Sequence, residues 1–362
     1  MKTNFLFLPV IFLCLIFLNS CAAPAKQSNN DTLNGNTSPE QQIDSEKIFW
    51  KIKTGAHIES PGFFSGNVLF TGSRDNNLYA IDAITGKIKW KFPSESWIDC
   101  TPYIYNNIVY FGSVDKSFYA VDAASGKQIW KYSTWEPIRS SPVIDGNTIY
   151  FGGFDKHIYA LDAGDGTLKW KFKTGASIYF ASPVTDSSNV YCGSWDFCLY
   201  ALDKNTGDLK WKFRTEGNIE ATPVLSEDTL YIGSWDNYFY ALEINTGKLK
   251  WKFKTYGNIC SKALLYKNII YAGSWDNFIY ALDATTGSMI WRYRTKGRIL
   301  YPPVVKDDRI YVGSLDKNIY VLNKDTGELF SQLYVGETPL GLTCGDEKVF
   351  VTAADGTIYA IR

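Results

Sequence analysis

Two histidines, His57 and His157, are all the imidazole that the 362-residue chain contains. They leave little material for a His-rich metal centre or for a Ser/His or Cys/His nucleophile pair. Cysteine is the next reactive group, with seven residues. Cys14 and Cys21 lie in the N-terminal leader region. Cys100, Cys192, Cys198, Cys260 and Cys344 remain, an odd number in a chain that reads as exported, and no two are adjacent. Cys192 and Cys198 flank a tight turn, where they either face each other across a hairpin or serve, like the others, as small buried hydrophobes. Eight aspartates recur at one place in a repeat: Asp75, Asp115, Asp155, Asp196, Asp236, Asp276, Asp316 and Asp355. A ring of carboxylates suggests a metal. The same residues in the frame Gly-Ser-x-Asp, just before a strand, suit acceptance of turn amides better. No lone carboxylate stands out as a general base. The inventory therefore names no catalytic, cofactor-binding or metal-binding residues, and the chemistry it favours is recognition.

Two columns of residues could carry that recognition. Trp195, Trp235 and Trp275 fill the position before the repeated Asp in three consecutive repeats, where the others carry Arg74, Val114, Phe154, Leu315 and Ala354. Three Trp on one rim would make an aromatic patch for a protein, a sugar or a planar ligand. Recent duplication of these repeats would produce the same run. The second column follows a repeated Ile and varies throughout: Glu59, Asp99, Arg139, Tyr179, Glu220, Cys260 and Leu300. Variation at one place on a constant frame is expected of a binding surface, and solvated charges at a channel mouth would look alike. The candidate partner or ligand surface is thus Trp195, Trp235 and Trp275 with Glu59, Asp99, Arg139, Tyr179 and Glu220.

These residues are positioned by a repeat of about 40 residues. A Tyr opens the motif Tyr-Ala-Leu-Asp, complete or in part, at 79, 119, 159, 200, 240, 280, 320 and 359. Trp recurs at 50, 90, 130, 170, 211, 251 and 291, with Phe330 in the eighth place. Each repeat reads as four short strands, over 58–64, 68–73, 78–82 and 88–92 in the first. The fourth alternates cleanly: Ile88, Trp90 and Phe92 against Lys87, Lys89 and Lys91, the period of a half-buried strand. Lysine rows suit an outer edge, where charge discourages edge-to-edge pairing. Thr85-Gly86, Thr206-Gly207 and their equivalents mark turns that need positive φ. Four-stranded units of this length predict an all-β fold, an eight-bladed β-propeller of antiparallel blades. The Trp and Tyr series are out of phase, since Trp50 has no strands before it and the last repeat has no fourth strand. A strand over 48–52 should therefore join the last blade and close the ring. A linear array would instead need atypical caps at both ends.

The leader sets the setting. Residues 5–18 form a nearly unbroken apolar run, shorter than the roughly 20 residues a spanning helix needs. It ends in Leu18-Asn19-Ser20-Cys21, which resembles the bacterial lipobox. That resemblance implies a signal peptide over 1–20 and lipidation of Cys21. Residues 22–46 are rich in Asn, Ser, Gln, Thr, Gly and Pro without apolar period, so 21–46 reads as a lipidated Cys and flexible tether spanning on the order of 25–30 Å. The propeller then occupies 47–362. Lys plus Arg equals Asp plus Glu at 37 each, which speaks against a nucleic-acid partner. Membrane contact is expected only through the lipid.

Tyr200 to Trp211, Tyr-Ala-Leu-Asp-x-x-Thr-Gly-x-x-x-Trp, resembles the quinoprotein-type (PQQ-like) propeller repeat, over residues 47–362. The resemblance implies that Trp50, Trp90, Trp130, Trp170, Trp211, Trp251 and Trp291 dock neighbouring blades. An eight-bladed ring of such repeats behind a lipobox is similar to the BamB family of outer-membrane assembly lipoproteins. That implies a non-catalytic envelope scaffold, a monomeric propeller with a protein partner in a β-barrel assembly machine, facing the periplasm where the cell has an outer membrane. The alternative is a surface or periplasmic lipoprotein that binds a glycan or small molecule. Quinone-dependent dehydrogenases share the repeat, but they are longer, with insertions around the cofactor, and use a vicinal Cys pair that this chain lacks.

Overall fold

The computed structural model describes residues 48–361. Cys21 and the stretches expected to be a signal peptide (1–20) and a tether (21–46) lie outside the described residues. Eight sheets of four antiparallel strands follow one another, and no helix occurs among the described residues. Blade 1 uses Phe63–Ser65, Val68–Gly72, Asn77–Asp82 and Ile88–Pro93 in spatial order. Blades 2 to 7 repeat this plan. Blade 8 takes Pro339–Cys344, Val349–Ala353 and Thr357–Ile361 from the C-terminal end and Ile48–Lys53 as its outermost strand. Ile48 pairs with Ile361 and Lys53 with Thr357, so the ring closes as the phase shift of the Trp and Tyr series predicts.

In blades 1 to 7 the first strand is shorter than the sequence suggests, two or three residues against six in blade 8. In blade 1 it covers only Phe63–Ser65, not 58–64. Pro61 lacks the N–H a ladder requires, and Gly62 packs against Leu69 so closely that a Cβ would lie 2.7 Å from its Cδ1. First strands of neighbouring blades touch one another, as those of blades 1, 2, 3 and 4 do in turn, and form the innermost ring. Fourth strands lie outermost. There the burial alternates, exposed Lys210 and Lys212 flanking half-buried Trp211.

The core lies between blades. Each hydrophobic cluster draws on two neighbours: Tyr150, Ile158 and Trp170 of blade 3 pack with Ile178, Val190, Cys192 and Leu202 of blade 4. Blades 8 and 1 join in the same way through Phe350, Ile358, Leu69 and Tyr79. Cys192 and Cys198 are separate buried thiols. The register sets Cys192 opposite Tyr200 and Cys198 opposite Arg214, so they are not cross-strand partners. Burial pushes the Cys192 thiol well up and Cys100 up to about 12, as for inert core cysteines.

Candidate functional site

Every turn between second and third strands is tied to the link that precedes the first strand. Arg74 N donates to His57 O at 2.8 Å, Trp195 N to Ser177 O at 3.1 Å, and Trp235 and Trp275 to Asn218 and Asn258 at 3.0 Å. Turns and links therefore share one face, and both candidate columns meet there. The repeated Asp locks this geometry. Asp236 accepts the N–H of Glu216 at 3.0 Å, the N–H of Tyr238 at 3.0 Å and the Tyr240 hydroxyl at 2.7 Å. Six of its counterparts, in blades 1 to 4, 6 and 7, bind the incoming link and the motif Tyr in the same way. Asp355 instead pairs with Lys53 at 3.0 Å and Thr357. The carboxylates are spent on the turns.

The repeated Trp of each outer strand donates its indole N–H to the next blade: Trp50 to Ala83 O, Trp90 to Ala123 O, Trp130 to Ala163 O, Trp170 to Lys204 O, Trp211 to Ile244 O, Trp251 to Ala284 O and Trp291 to Lys324 O, at 3.0–3.2 Å. The indole also covers the turn glycine. Gly207 holds φ at 78°, and a Cβ there would come within 2.8 Å of the Trp170 ring, so both conformation and space demand glycine.

At the mouth the two columns divide the ring into unlike halves. One half is charged. Arg74 reaches Glu59 at 2.5 Å and Asp99 at 2.9 Å, and Arg139 pairs with Asp99 at 3.3 Å and donates to the Tyr179 hydroxyl at 2.7 Å. His57 and the Tyr301 hydroxyl complete Glu59, at 2.9 and 3.0 Å. Tyr301 belongs to blade 7 and Glu59 to blade 1, so the network reaches past blade 8, where the ring closes. The other half is aromatic. Phe154, Tyr179, Trp195, Trp235 and Trp275 follow one another with ring centroids 4.9, 4.8, 6.2 and 5.4 Å apart, and the Arg298 guanidinium caps Trp275 at 4.9 Å. All three Trp are half-buried, so each keeps a face towards solvent. Trp275 donates to Cys260 Sγ at 3.0 Å.

Glu220 belongs to blade 5, within the aromatic half. It is 8% exposed, and burial raises its pKa to about 8; Glu59 of the opposite blade adds to the rise, while the Trp235 indole and Arg139 oppose it. The Trp235 N–H faces this carboxyl, yet its hydrogen-bond geometry is poor. Asp99 is also raised by burial, with the Arg74 and Arg139 guanidiniums opposing. Glu59 goes the other way: burial would raise it, but His57, Arg74 and Tyr301 together hold it low.

All eight surface candidates thus lie on one mouth. Sequence reasoning passed over Arg74, Tyr301, His57 and Trp97, whose ring the Arg74 guanidinium overlies at 4.9 Å. Their sign was the same column logic: Arg74 is the lone cation in the column that otherwise carries aromatic and aliphatic residues.

Among solved structures, BamB from Moraxella catarrhalis superposes with a TM-score of 0.76 at 20% identity, covering 86% of this chain and 98% of that one. The computationally designed Ika8 protein gives 0.78 at 18%, covering 87% and 98%. The quinohemoprotein alcohol dehydrogenase from Comamonas testosteroni gives 0.75 at 14%, covering 86% and 76%. Identities this low establish the fold alone. No curated protein matches the sequence. The family model described as outer membrane protein assembly factor BamB matches residues 41–171, 117–194, 154–267 and 259–362. With every blade matched, the chain belongs to the family of outer membrane protein assembly factor BamB.

Proposed function

We propose that this propeller is a non-catalytic envelope scaffold, lipid-anchored through Cys21, that holds a protein partner in the assembly of outer-membrane β-barrels. The observation that carries the reading is the family match across all eight blades. The mouth supports it physically. An aromatic arc beside a fixed charged half offers apolar area together with oriented polar groups, the composition of binding hot spots, in which Trp, Tyr and Arg predominate. Fold alone would not serve, because a dehydrogenase shares it.

Cross-linking in native envelopes, followed by affinity capture and mass spectrometry, tests the proposal. The wild-type chain should recover a β-barrel assembly protein. The Trp195/Trp235/Trp275→Ala variant should lose most of that recovery while keeping its thermal midpoint. Capture of no envelope protein by the wild type would overturn the scaffold reading, and undiminished capture by the folded variant would move the contact off this rim.

A further inference from the structure

The outer strand of each blade ends its sheet and turns a row of backbone N–H and C=O groups outwards, without a strand to receive them. Seven of these eight edges carry at least one Lys or Arg, as Leu209–Arg214 of blade 4 does with Lys210, Lys212 and Arg214. Blade 7 is the exception. Its outer strand, Leu329–Tyr334, reads Leu-Phe-Ser-Gln-Leu-Tyr and holds no charge. Phe330 and Gln332 stand where blade 4 has Lys210 and Lys212, and Ser331 stands at the register of the docking Trp. Phe330 is 62% exposed beside an exposed Leu329, and only the Arg309 guanidinium, 3.7 Å from its centroid, overlies the ring.

Charge is the ordinary means by which an edge refuses another strand. An uncharged edge of six residues, about 20 Å long, offers a ladder of hydrogen bonds and an apolar flank to an incoming one. A second copy of this chain does not suit it. Antiparallel pairing has its two-fold axis normal to the sheet and sets blade 6 opposite blade 6 and blade 8 opposite blade 8. Parallel pairing sets blade 6 opposite blade 8. Either way the exposed Arg292 and Arg294 of blade 6 and Lys51 and Lys53 of blade 8 meet like charges. The same four cations flank the neutral edge on both sides and favour a strand of negative charge.

We infer that the outer edge of blade 7 docks an extended, acidic segment of a partner polypeptide as a fifth strand, one that alternates apolar with polar residues. Backbone hydrogen bonds supply the affinity, and β-branched or aromatic side chains of the segment pack across from Leu329 and Phe330. The cations of blades 6 and 8 steer its carboxylates towards this edge. The site lies on the outside of the ring and does not rest on the mouth as the seat of a partner.

Fluorescence anisotropy of the labelled peptide Glu-Glu-Val-Thr-Val-Thr-Val-Glu, titrated with the full chain at low ionic strength, tests the inference. The wild type should bind one peptide saturably. Phe330→Lys/Gln332→Lys copies the pattern with which blade 4 folds, so its thermal midpoint should hold while binding weakens by about tenfold or more. The same peptide with every backbone nitrogen methylated keeps its side chains but loses its ladder donors, and should not bind. Lys in place of Glu in the peptide should weaken binding by about fivefold or more. The Trp195/Trp235/Trp275→Ala variant should bind as the wild type does, which separates this edge from the contact proposed at the mouth. Absence of saturable binding to the wild type, undiminished binding by the Lys variant, equal binding of the methylated or the Lys peptide, or loss of binding by the Trp variant would overturn the inference. So would a wild-type dimer in sedimentation velocity that Phe330→Lys/Gln332→Lys abolishes, since the edge would then belong to a second copy.

Discussion

At the scale of single residues, Glu220 is the group whose state the fold alters most usefully. Its carboxyl is buried beside the Trp arc, faces Glu59 across the axis and has Arg139 as the cation that opposes the rise. A folded pKa near 8 against an ordinary carboxylate value when unfolded means that the native state holds a proton the unfolded chain releases. The sign follows: folding is favoured relative to a permanently neutral side chain at no pH, and the native state loses ground as pH rises from the unfolded pKa through about 8. Glu220→Gln, neutral throughout, should therefore be close to wild type in stability near pH 4 and more stable at pH 8.5 by a few kcal/mol. Denaturant titrations of both proteins across that range measure the difference. A constant difference with pH would show that Glu220 is ionised in the native state.

At the scale of elements, the outer strand of blade 8 decides whether the ring is a ring. Ile48–Lys53 covers Thr357–Ile361, whose residues Ile358, Tyr359, Ala360 and Ile361 are buried against both neighbours. Removing residues 1–53 would turn that strand into a long apolar edge and deprive Ala83 O of the Trp50 indole. Such a truncation should associate with rising concentration and lose its single cooperative unfolding transition. Sedimentation velocity and thermal circular dichroism read both effects. A synthetic peptide of residues 46–55 should restore the monomer, and a truncated chain that stays monomeric with an unchanged thermal midpoint would show that the closing strand is dispensable.

At the scale of the whole molecule, the eight blades are held by similar interfaces, each with its shared cluster and seven of them with a Trp–carbonyl bond; at the junction of blades 7 and 8 Ser331 stands at the register of the Trp. The place where the chain opens is then physically arbitrary. A permutant that joins Ile361 to Ile48 through the six-residue segment Asp283-Ala284-Thr285-Thr286-Gly287-Ser288 copied from blade 6, where it links the equivalent pair Leu282 and Met289, and begins at Thr246 within the matching turn of blade 5, should fold. Its near-ultraviolet circular dichroism should match the wild type and its thermal midpoint should lie within about 5 °C of it. A molten spectrum would mean that closure at blade 8 has a special role in folding.

The sequence by itself determined the repeat, the four strands per blade, the blade number and the closing strand. Those follow from local rules that recur every 40 residues: alternation in Ile88, Trp90 and Phe92, glycine at positive φ, an Asp that caps a turn. It also placed Trp195, Trp235 and Trp275 in one column. What it left undetermined depends on distances between blades. That Arg74 bridges Glu59 and Asp99 is a consequence of how blades 1 and 2 dock, and that Tyr301 reaches Glu59 across 242 residues and Glu220 feels Glu59 from the opposite blade are consequences of ring closure. Periodicity encodes which strands form, because pairing energies act over neighbouring residues. The chemistry at the axis arises only when eight strands that never pair with one another are brought to a common centre.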